Sequence, residues 1–265
     1  WTAPTWPTEY GGGGLSSEEE KILEKEMARL HCRPPLYDLG LWMLGPALLV
    51  HGNEEQKREH ITKIVRGDIR WAQGYSEPAA GSDLASLKTR ADDKGDHFLV
   101  NGTKIWTTQA DKADWIFTLV RTDATGNKHQ GISFLLIDMR SPGVTTTPIE
   151  LISGESEFCQ TFFDDVKVPK DNLVGGLNNG WLVAKELLKH ERKLMATMES
   201  IVQREDESLI ELATQYIGMD GSGKLNDSSI RARITEQLMT AEALEYLNER
   251  LFLQFRNKQV DPRLP

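Results

Sequence analysis

Apolar residues recur at helical spacing from about position 16 to 67, at strand spacing from 69 to 168, and at helical spacing again from Gly180 onward. In the first zone, "SSEEEKILEKEMARL" carries Ser16 and Glu19, the two members of a capping box, at the head of a charged amphipathic helix. "NEEQKREHITKIVRG" repeats the device with Asn53 and Gln56, and Gly67 stops it. Between them, residues 36–51 are apolar nearly all round, which predicts one buried helix.

The middle zone consists of strand-length runs. "HFLVNGTKIWTT" sets Asn101-Gly102 between two of them and predicts a hairpin turn. "ADWIFTLVRTD", "GISFLLIDM" and "TFFDDVKV" follow, with turn chemistry between. Six or seven strands without intervening helices predict an antiparallel sandwich or barrel. The last zone predicts two long helices, one from Gly180 to near Gly218 and one from the polar cluster 226–229. The fold class is α+β: an N-terminal helical domain over 1–68, a central antiparallel β-domain over 69–172 and a helical bundle over 173–265, with the two helical parts expected to be incomplete.

Composition narrows the chemistry. A chain of 265 residues with 39% hydrophobic and 27% charged positions is that of a globular protein of about two domains. A net charge of −9 argues against nucleic acid as partner. The longest apolar run, "LGLWMLGPALLV", is too short for a bilayer and is interrupted by Gly45 and Pro46. Cys32 and Cys159 match no metal or redox spacing and fit a reducing compartment. No leader pattern opens the chain, and its ends, Trp1 and "QVDPRLP", lead us to expect a piece of a longer protein.

Several stretches are candidates for function. "WAQGYSEPAAGSDLASLKTRA" spends about ten residues on Pro, Gly and hydroxyl chemistry where a turn needs two to five, so the loop is a candidate binding loop. The glycines of "EYGGGGLSSEEE" have no strand upstream, so they are read as structure rather than as a phosphate cradle. The histidines His51, His60, His97 and His129 share no spacing, and no metal site is expected. Glu191 falls in the middle of an apolar stripe formed by Ala184, Leu187, Leu188, Leu194, Met195 and Met198. A carboxylate there is costly to ionise, which suits either a general base or a buried structural partner. Trp106, beside Thr107 and Thr108, is either a core residue or a flat surface for a heteroaromatic ligand.

Together these stretches resemble the acyl-CoA dehydrogenase family of flavoproteins. The carriers are "GYSEPAAGSDLASLKTRA", "VNGTKIWTTQADKADW", "FFDDVKVPKDNLVG" and "NNGW", in order and at consistent spacing. The resemblance implies FAD as cofactor, held by Gln73, Tyr75, Ser76, Ser82, Trp106, Thr107 and Thr108. Ser82 and Arg192 are implied as contacts to the CoA thioester, and "KHERKL" implies Glu191 as the catalytic base, as in the minority of the family that keeps the base on its first long C-terminal helix. The implied reaction is α,β-dehydrogenation of an acyl-CoA to the 2,3-enoyl-CoA, with electrons passed to an electron-transferring flavoprotein. Acyl-CoA oxidase, and a non-catalytic subunit or alkylation-response-type relative, are the alternatives. A homo- or hetero-oligomer in the bacterial cytoplasm or the mitochondrial matrix is implied as well.

Overall fold

Ser16 caps α1 (Ser17–Arg29) as the pattern predicts: its hydroxyl accepts from the Glu19 amide at 3.3 Å, and the Glu19 carboxylate accepts from the Ser16 amide at 2.8 Å. The computed structural model describes residues 2–30, 32–33, 38–202 and 208–257, the side chains of 193–202, 252, 255 and 256 excepted. Asn53 and Gln56 repeat the capping box over α3 (Glu54–Gln56), which continues through a π-helical turn (Lys57–Ile61) into α4 (Thr62–Arg66) and ends at left-handed Gly67. The Gln56 side chain then donates to the Asp171 and Leu173 carbonyls at 2.6 and 3.0 Å, anchoring this helix to the end of the strand zone.

Of the single helix predicted over 36–51, residues 39–51 are helical without a break, a π-helical turn (Gly40–Leu44) running into α2 (Gly45–His51), and 36–37 lie outside the described residues. Pro46 has no N–H to return to the carbonyl four residues back, which leaves a gap in the α-helical ladder there. The glycine run is structural, as expected. A side chain at Gly12 would collide with the Trp6 backbone, and one at Gly13 with the Pro4 carbonyl at 2.7 Å.

Eight strands among the described residues form one sheet: β1 (Trp71–Gly74), β2 (Arg90–Asp93), β3 (His97–Thr108), β4 (Trp115–Arg121), β5 (Ile132–Asp138), β6 (Val144–Ile149), β7 (Phe158–Pro169) and β8 (Leu173–Val174). Their order is β6-β7-β3-β2-β4-β5-β8, and β1 lies beside β4. The sheet is mixed rather than antiparallel throughout, because β1 and β2 both pair parallel to β4. The parallel pairing follows from the connections. The loop after β1 and the long excursion of β3 return the chain to β4 from the same end.

The predicted Asn101-Gly102 hairpin is a β-bulge inside the continuous strand β3. The turn between β2 and β3 falls earlier, at Gly95 with φ 94°. Gly102 is needed where it is, with φ +152° and the Thr89 Cα only 2.6 Å from where its Cβ would sit. Asn101 and Asp165 meanwhile exchange two hydrogen bonds of 2.9 Å across the bulge. Gly102→Ala should therefore cost about 1–3 kcal/mol through strain at this position, read as a lower urea midpoint. An unchanged midpoint would contradict this account of the bulge.

Strands β4 and β5 are buried on both faces, so they read as near-continuous apolar runs. One face places Phe117, Leu119, Phe134 and Leu136 in a cluster with Leu44, Leu48, Ile61 and Trp71 from the N-terminal helices and β1. Val183, Ala184 and Leu187 from α5 (Gly180–Val202) close that cluster. The other face sets Ile116, Val120, Leu135 and Ile137 against Phe98, Val100, Phe163 and Val166 of β3 and β7. One core is thus helix on sheet, and the other is sheet folded over sheet.

The chain divides into two compact units, 1–197 and 198–265. In the second, the helix predicted to run on to Gly218 starts afresh at Ser208, whose capping box with Glu211 begins α6 (Leu209–Ile217). It is followed by α7 (Ser228–Arg256), which exposes Leu238, Met239, Leu244 and Tyr246. The stripe residues Leu194, Met195 and Met198 fall outside the described side chains. No helix among the described residues is long and apolar enough to cross a membrane.

Candidate functional site

Strand β1 leads straight into the candidate binding loop. At its end the Thr118 hydroxyl donates to the Gly74 carbonyl at 2.7 Å and fills the space a side chain there would need. Tyr75 follows, 6% exposed, with its ring edge-on to Phe117 at 6.1 Å. The Ser76 carbonyl accepts from the Ile105 amide at 2.9 Å, so the loop is stitched to β3. Glu77 and Ala80 then exchange backbone hydrogen bonds around Pro78, closing a tight turn.

A buried ion pair fastens this loop. The Lys104 ammonium, fully buried on the inward face of β3, donates to the Glu77 carboxylate at 2.8 Å and to the Tyr75 carbonyl at 3.0 Å. Glu77 also accepts from the amides of Lys88 and Thr89 at 2.6 and 2.9 Å, so one carboxylate holds both arms of the loop. Burial pushes Lys104 down to about 8, against the raising pull of Glu77. For Glu77, burial acts upward, but the Lys104 charge, its hydrogen bond and the amides hold the carboxyl below its usual range. Neither residue was among the sequence candidates. The signal was present: Lys104 shares the even-numbered phase of Phe98 and Val100, an inward position that a lysine occupies only with a partner.

Trp106 stands out on backbone grounds. It has φ 61°, a left-handed conformation that bulky residues rarely adopt, at the second register slip between β3 and β7. Its indole is 54% exposed and touches Phe158 edge-on at 6.0 Å. The core reading of this tryptophan is therefore set aside, and strain of this kind concentrates at ligand sites. Thr107 differs from its neighbours. Its hydroxyl is fully buried, donates to the Cys159 carbonyl at 2.8 Å and meets the Thr161 hydroxyl at 2.8 Å. That side chain is committed to the sheet, while Thr108 is half-buried.

Glu191 lies on α5 one turn beyond Leu187 and Leu188, on the face turned to the helix-on-sheet core. Its Oε2 is buried without a hydrogen-bond partner, and so is the Tyr75 hydroxyl. Burial first, and the Glu191 charge second, hold the Tyr75 phenol proton well above its ordinary range.

The structure thus joins Ser76 to Ile105, the residue before Trp106, through a backbone hydrogen bond. Gln73 is half-buried in β1 opposite Phe117, whereas Ser82 and Arg192 are exposed. No group of His, Cys, Asp or Glu able to hold a metal occurs among the described residues. The grooves of the second unit, such as one of about 660 Å³ lined by Leu212, Tyr216 and Ile234, include none of these residues.

Two family descriptions match the chain: acyl-CoA dehydrogenase, N-terminal domain, over residues 1–68, and acyl-CoA dehydrogenase, middle domain, over residues 72–166. Acyl-CoA dehydrogenase IpdE1 of Mycobacterium tuberculosis is 39% identical over 231 residues, covering 87% of this chain and 58% of that protein. Among solved structures, the Tcur3481-Tcur3483 steroid ACAD is 32% identical with TM-score 0.76, over 98% of this chain and 66% of that one. The ChsE4-ChsE5 complex from Mycobacterium tuberculosis is 30% identical with TM-score 0.73, over 99% and 67%. The chain spans about half the length of the curated relatives it matches.

Proposed function

The chain belongs to the acyl-CoA dehydrogenase family, and from that premise we propose that the whole protein is an FAD-dependent dehydrogenase converting an acyl-CoA thioester to its 2,3-enoyl-CoA, with Glu191 as the base. The observation that carries this reading is the Glu191 carboxylate, with one oxygen buried and unpartnered beside the loop after β1. A structural glutamate in such a place would be bonded to something, because a buried polar atom left unpaired costs about 1–3 kcal/mol. An oxygen kept free is one that can receive a proton.

The α-proton of an acyl thioester is weakly acidic, so removing it needs a base held in place and shielded from water. Glu191 meets both needs. Leu187 and Leu188 pack the preceding turn of α5 into the core, and the buried Oε2 has no competing donor. As the Cα–H bond breaks, its proton goes to Oε2 and its electron pair forms the Cα–Cβ double bond. When bound, FAD supplies the acceptor for the hydride that leaves the β-carbon.

The residues fit that group. Trp106 presents a half-exposed ring, and at exposed Gly81 an added Cβ would meet nothing within 4 Å, so that glycine leaves its backbone open to a ligand, while the backbone of buried Ala80 is taken by Glu77. Gln73, Tyr75 and Ser76 would hold the flavin through their backbone, with Trp106 and Thr108 beside it. Thr107 would contribute main chain only, since its hydroxyl is occupied. Ser82 and Arg192, both exposed, would in this reading meet the polar CoA arm rather than the reacting carbons.

Replacing Trp106 by Ala should weaken FAD retention by about three- to ten-fold, the value of one aromatic packing contact. Thr108→Ala should act in the same direction. Flavin absorbance per protein after purification checks both, and stoichiometric FAD in both variants would remove these residues from the cofactor site.

An electron-transferring flavoprotein is our proposed acceptor, in the bacterial cytoplasm or the mitochondrial matrix. The exposed apolar residues of α7 support an oligomer. The test is the whole protein with a panel of straight-chain, branched, dicarboxylic and steroid-derived acyl-CoA thioesters. We expect a product two hydrogens lighter, with dye reduction exceeding peroxide release. Peroxide as the main product would make the protein an oxidase, and no product from any thioester would favour a non-catalytic subunit.

A further inference from the structure

The guanidinium of Arg121, at the end of β4, joins main chain from two different loops. One terminal nitrogen donates to the Lys128 and Gln130 carbonyls at 3.0 and 2.8 Å, in the turn between β4 and β5. The other donates to the Ala85 carbonyl at 2.6 Å and lies 3.5 Å from that of Leu87, in the candidate binding loop. A planar fork with donors on two sides can make such a bridge, and a single ammonium cannot.

Both ends of the bridge are fixed structures. The binding loop is a lobe closed at its neck by Glu77, whose carboxylate accepts from the Lys88 and Thr89 amides. Within the lobe, the Glu77–Ala80 turn and a 3₁₀ turn (Leu84–Ser86) flank Gly81, Ser82 and Asp83, all exposed. The β4–β5 turn is fastened in its own way, to the head of α5. The Thr122 hydroxyl donates to the Asn178 side-chain oxygen at 2.7 Å, and the Ser133 hydroxyl accepts from the Asn178 amide at 2.9 Å. His129 also meets Trp181 edge-on at 4.9 Å.

We propose that Arg121 is a positioning residue for the CoA arm of the substrate: it holds the lobe beyond its neck against the β4–β5 turn, so that Ser82 meets the ligand already ordered. The inference rests on the reading of Ser82 as a CoA contact. A Cβ at Gly81 would meet nothing within 4 Å, so packing does not hold the chain at that point, and its order comes from the ties on either side. Glu77 is the tie before it and Arg121, through Ala85, the tie after it. The Asp83–Lys128 ion pair at 2.7 Å crosses the same gap, but it lies in solvent and contributes little. A loop ordered beforehand does not have to be ordered on association, which favours binding.

Arg121→Lys keeps the charge and most of the stem but offers one nitrogen, which reaches one loop or the other. In the FAD-loaded whole protein, calorimetric titration with free CoA should give a Kd raised about ten-fold. KM for the acyl-CoA should rise in parallel while kcat changes far less and flavin content stays stoichiometric. Asp83→Asn cuts only the exposed ion pair and should move Kd by less than about two-fold. Titrating well below the melting temperature of each variant separates affinity from any loss of global stability. Arg121→Gln, also with one terminal nitrogen, gives the same reading should the Lys variant fail to accumulate.

Wild-type affinity for CoA in both Arg121 variants overturns the proposal. An unchanged Kd with lost flavin also overturns it, because the bridge would then serve the cofactor. So does an equal weakening by Asp83→Asn, which would make the effect one of surface charge. A wild-type protein that binds no CoA overturns the Ser82 reading together with this proposal, whereas CoA binding that the Arg121 variants leave untouched removes this proposal alone.

Discussion

Glu191→Gln is expected to leave acyl-CoA binding within a few-fold and to slow flavin reduction by about 10²–10⁴, the usual cost of removing a general base. Glutamine matches the size of glutamate but cannot take the α-proton. The same substitution should leave the melting temperature level or raise it. Glu191 Oε2 is buried with no partner, so removing its charge removes a desolvation cost and breaks no hydrogen bond at that oxygen. The pairing of lost chemistry with undiminished stability separates a base from a structural glutamate. Glu191→Asp should keep part of the rate, limited by its shorter reach. Stopped-flow reduction beside a thermal melt checks all of this. A Gln variant that reduces normally would send the search for the base outside residues 1–265.

Lys104→Met carries the largest expected stability change. Its side chain is fully buried, and without it the Glu77 carboxylate, 6% exposed, keeps its two amide donors but no counter-charge. Breaking one side of such a pair costs about 3–5 kcal/mol. The double variant Glu77→Gln with Lys104→Met should recover part of that, because no charge is then left buried alone, although the single amide oxygen can accept from only one of the Lys88 and Thr89 amides. Urea denaturation of the two variants gives the comparison. The loop that Glu77 closes carries Tyr75 and Ser76, so FAD content should fall in the single variant and return in the double. A single variant as stable as wild type would show that the pair does not fasten the loop.

Much of the fold was legible because local chemistry and global packing agree. Both N-terminal capping boxes, the Gly67 stop and the long apolar strands appear where their patterns placed them. The misses have physical causes. Asn101-Gly102 has the composition of a tight turn, but the glycine serves the close approach of Thr89, which lies beyond any local window. Pro46 has no N–H for the helical ladder, and the buried helix carries a π-helical turn just before it that the continuous apolar pattern does not announce. The parallel pairing of β1 and β2 with β4 depends on long connections that periodicity does not encode.

The candidate site divides in the same way. An apolar stripe pointed to Glu191, and the burial of its oxygen agrees with that. The spacing of Trp106 drew attention to it, but its left-handed backbone and open ring are visible only in three dimensions. Thr107 illustrates the converse. The sequence sets it beside a candidate binding residue, yet its hydroxyl is turned into the sheet at the bulge in β3. Glu77 and Lys104 are 27 residues apart, and no spacing rule joins them.

The central claim is that an acyl-CoA loses its α-proton and β-hydride at this site. The most direct measurement mixes the flavin-loaded whole protein with one equivalent of a saturated acyl-CoA, without oxygen or added acceptor, and follows the flavin's visible absorbance together with the thioester mass. The account predicts bleaching of the flavin and one enoyl-CoA formed per flavin. A flavin that stays oxidised beside a bound, unchanged thioester, across straight, branched and polycyclic acyl groups, would contradict it.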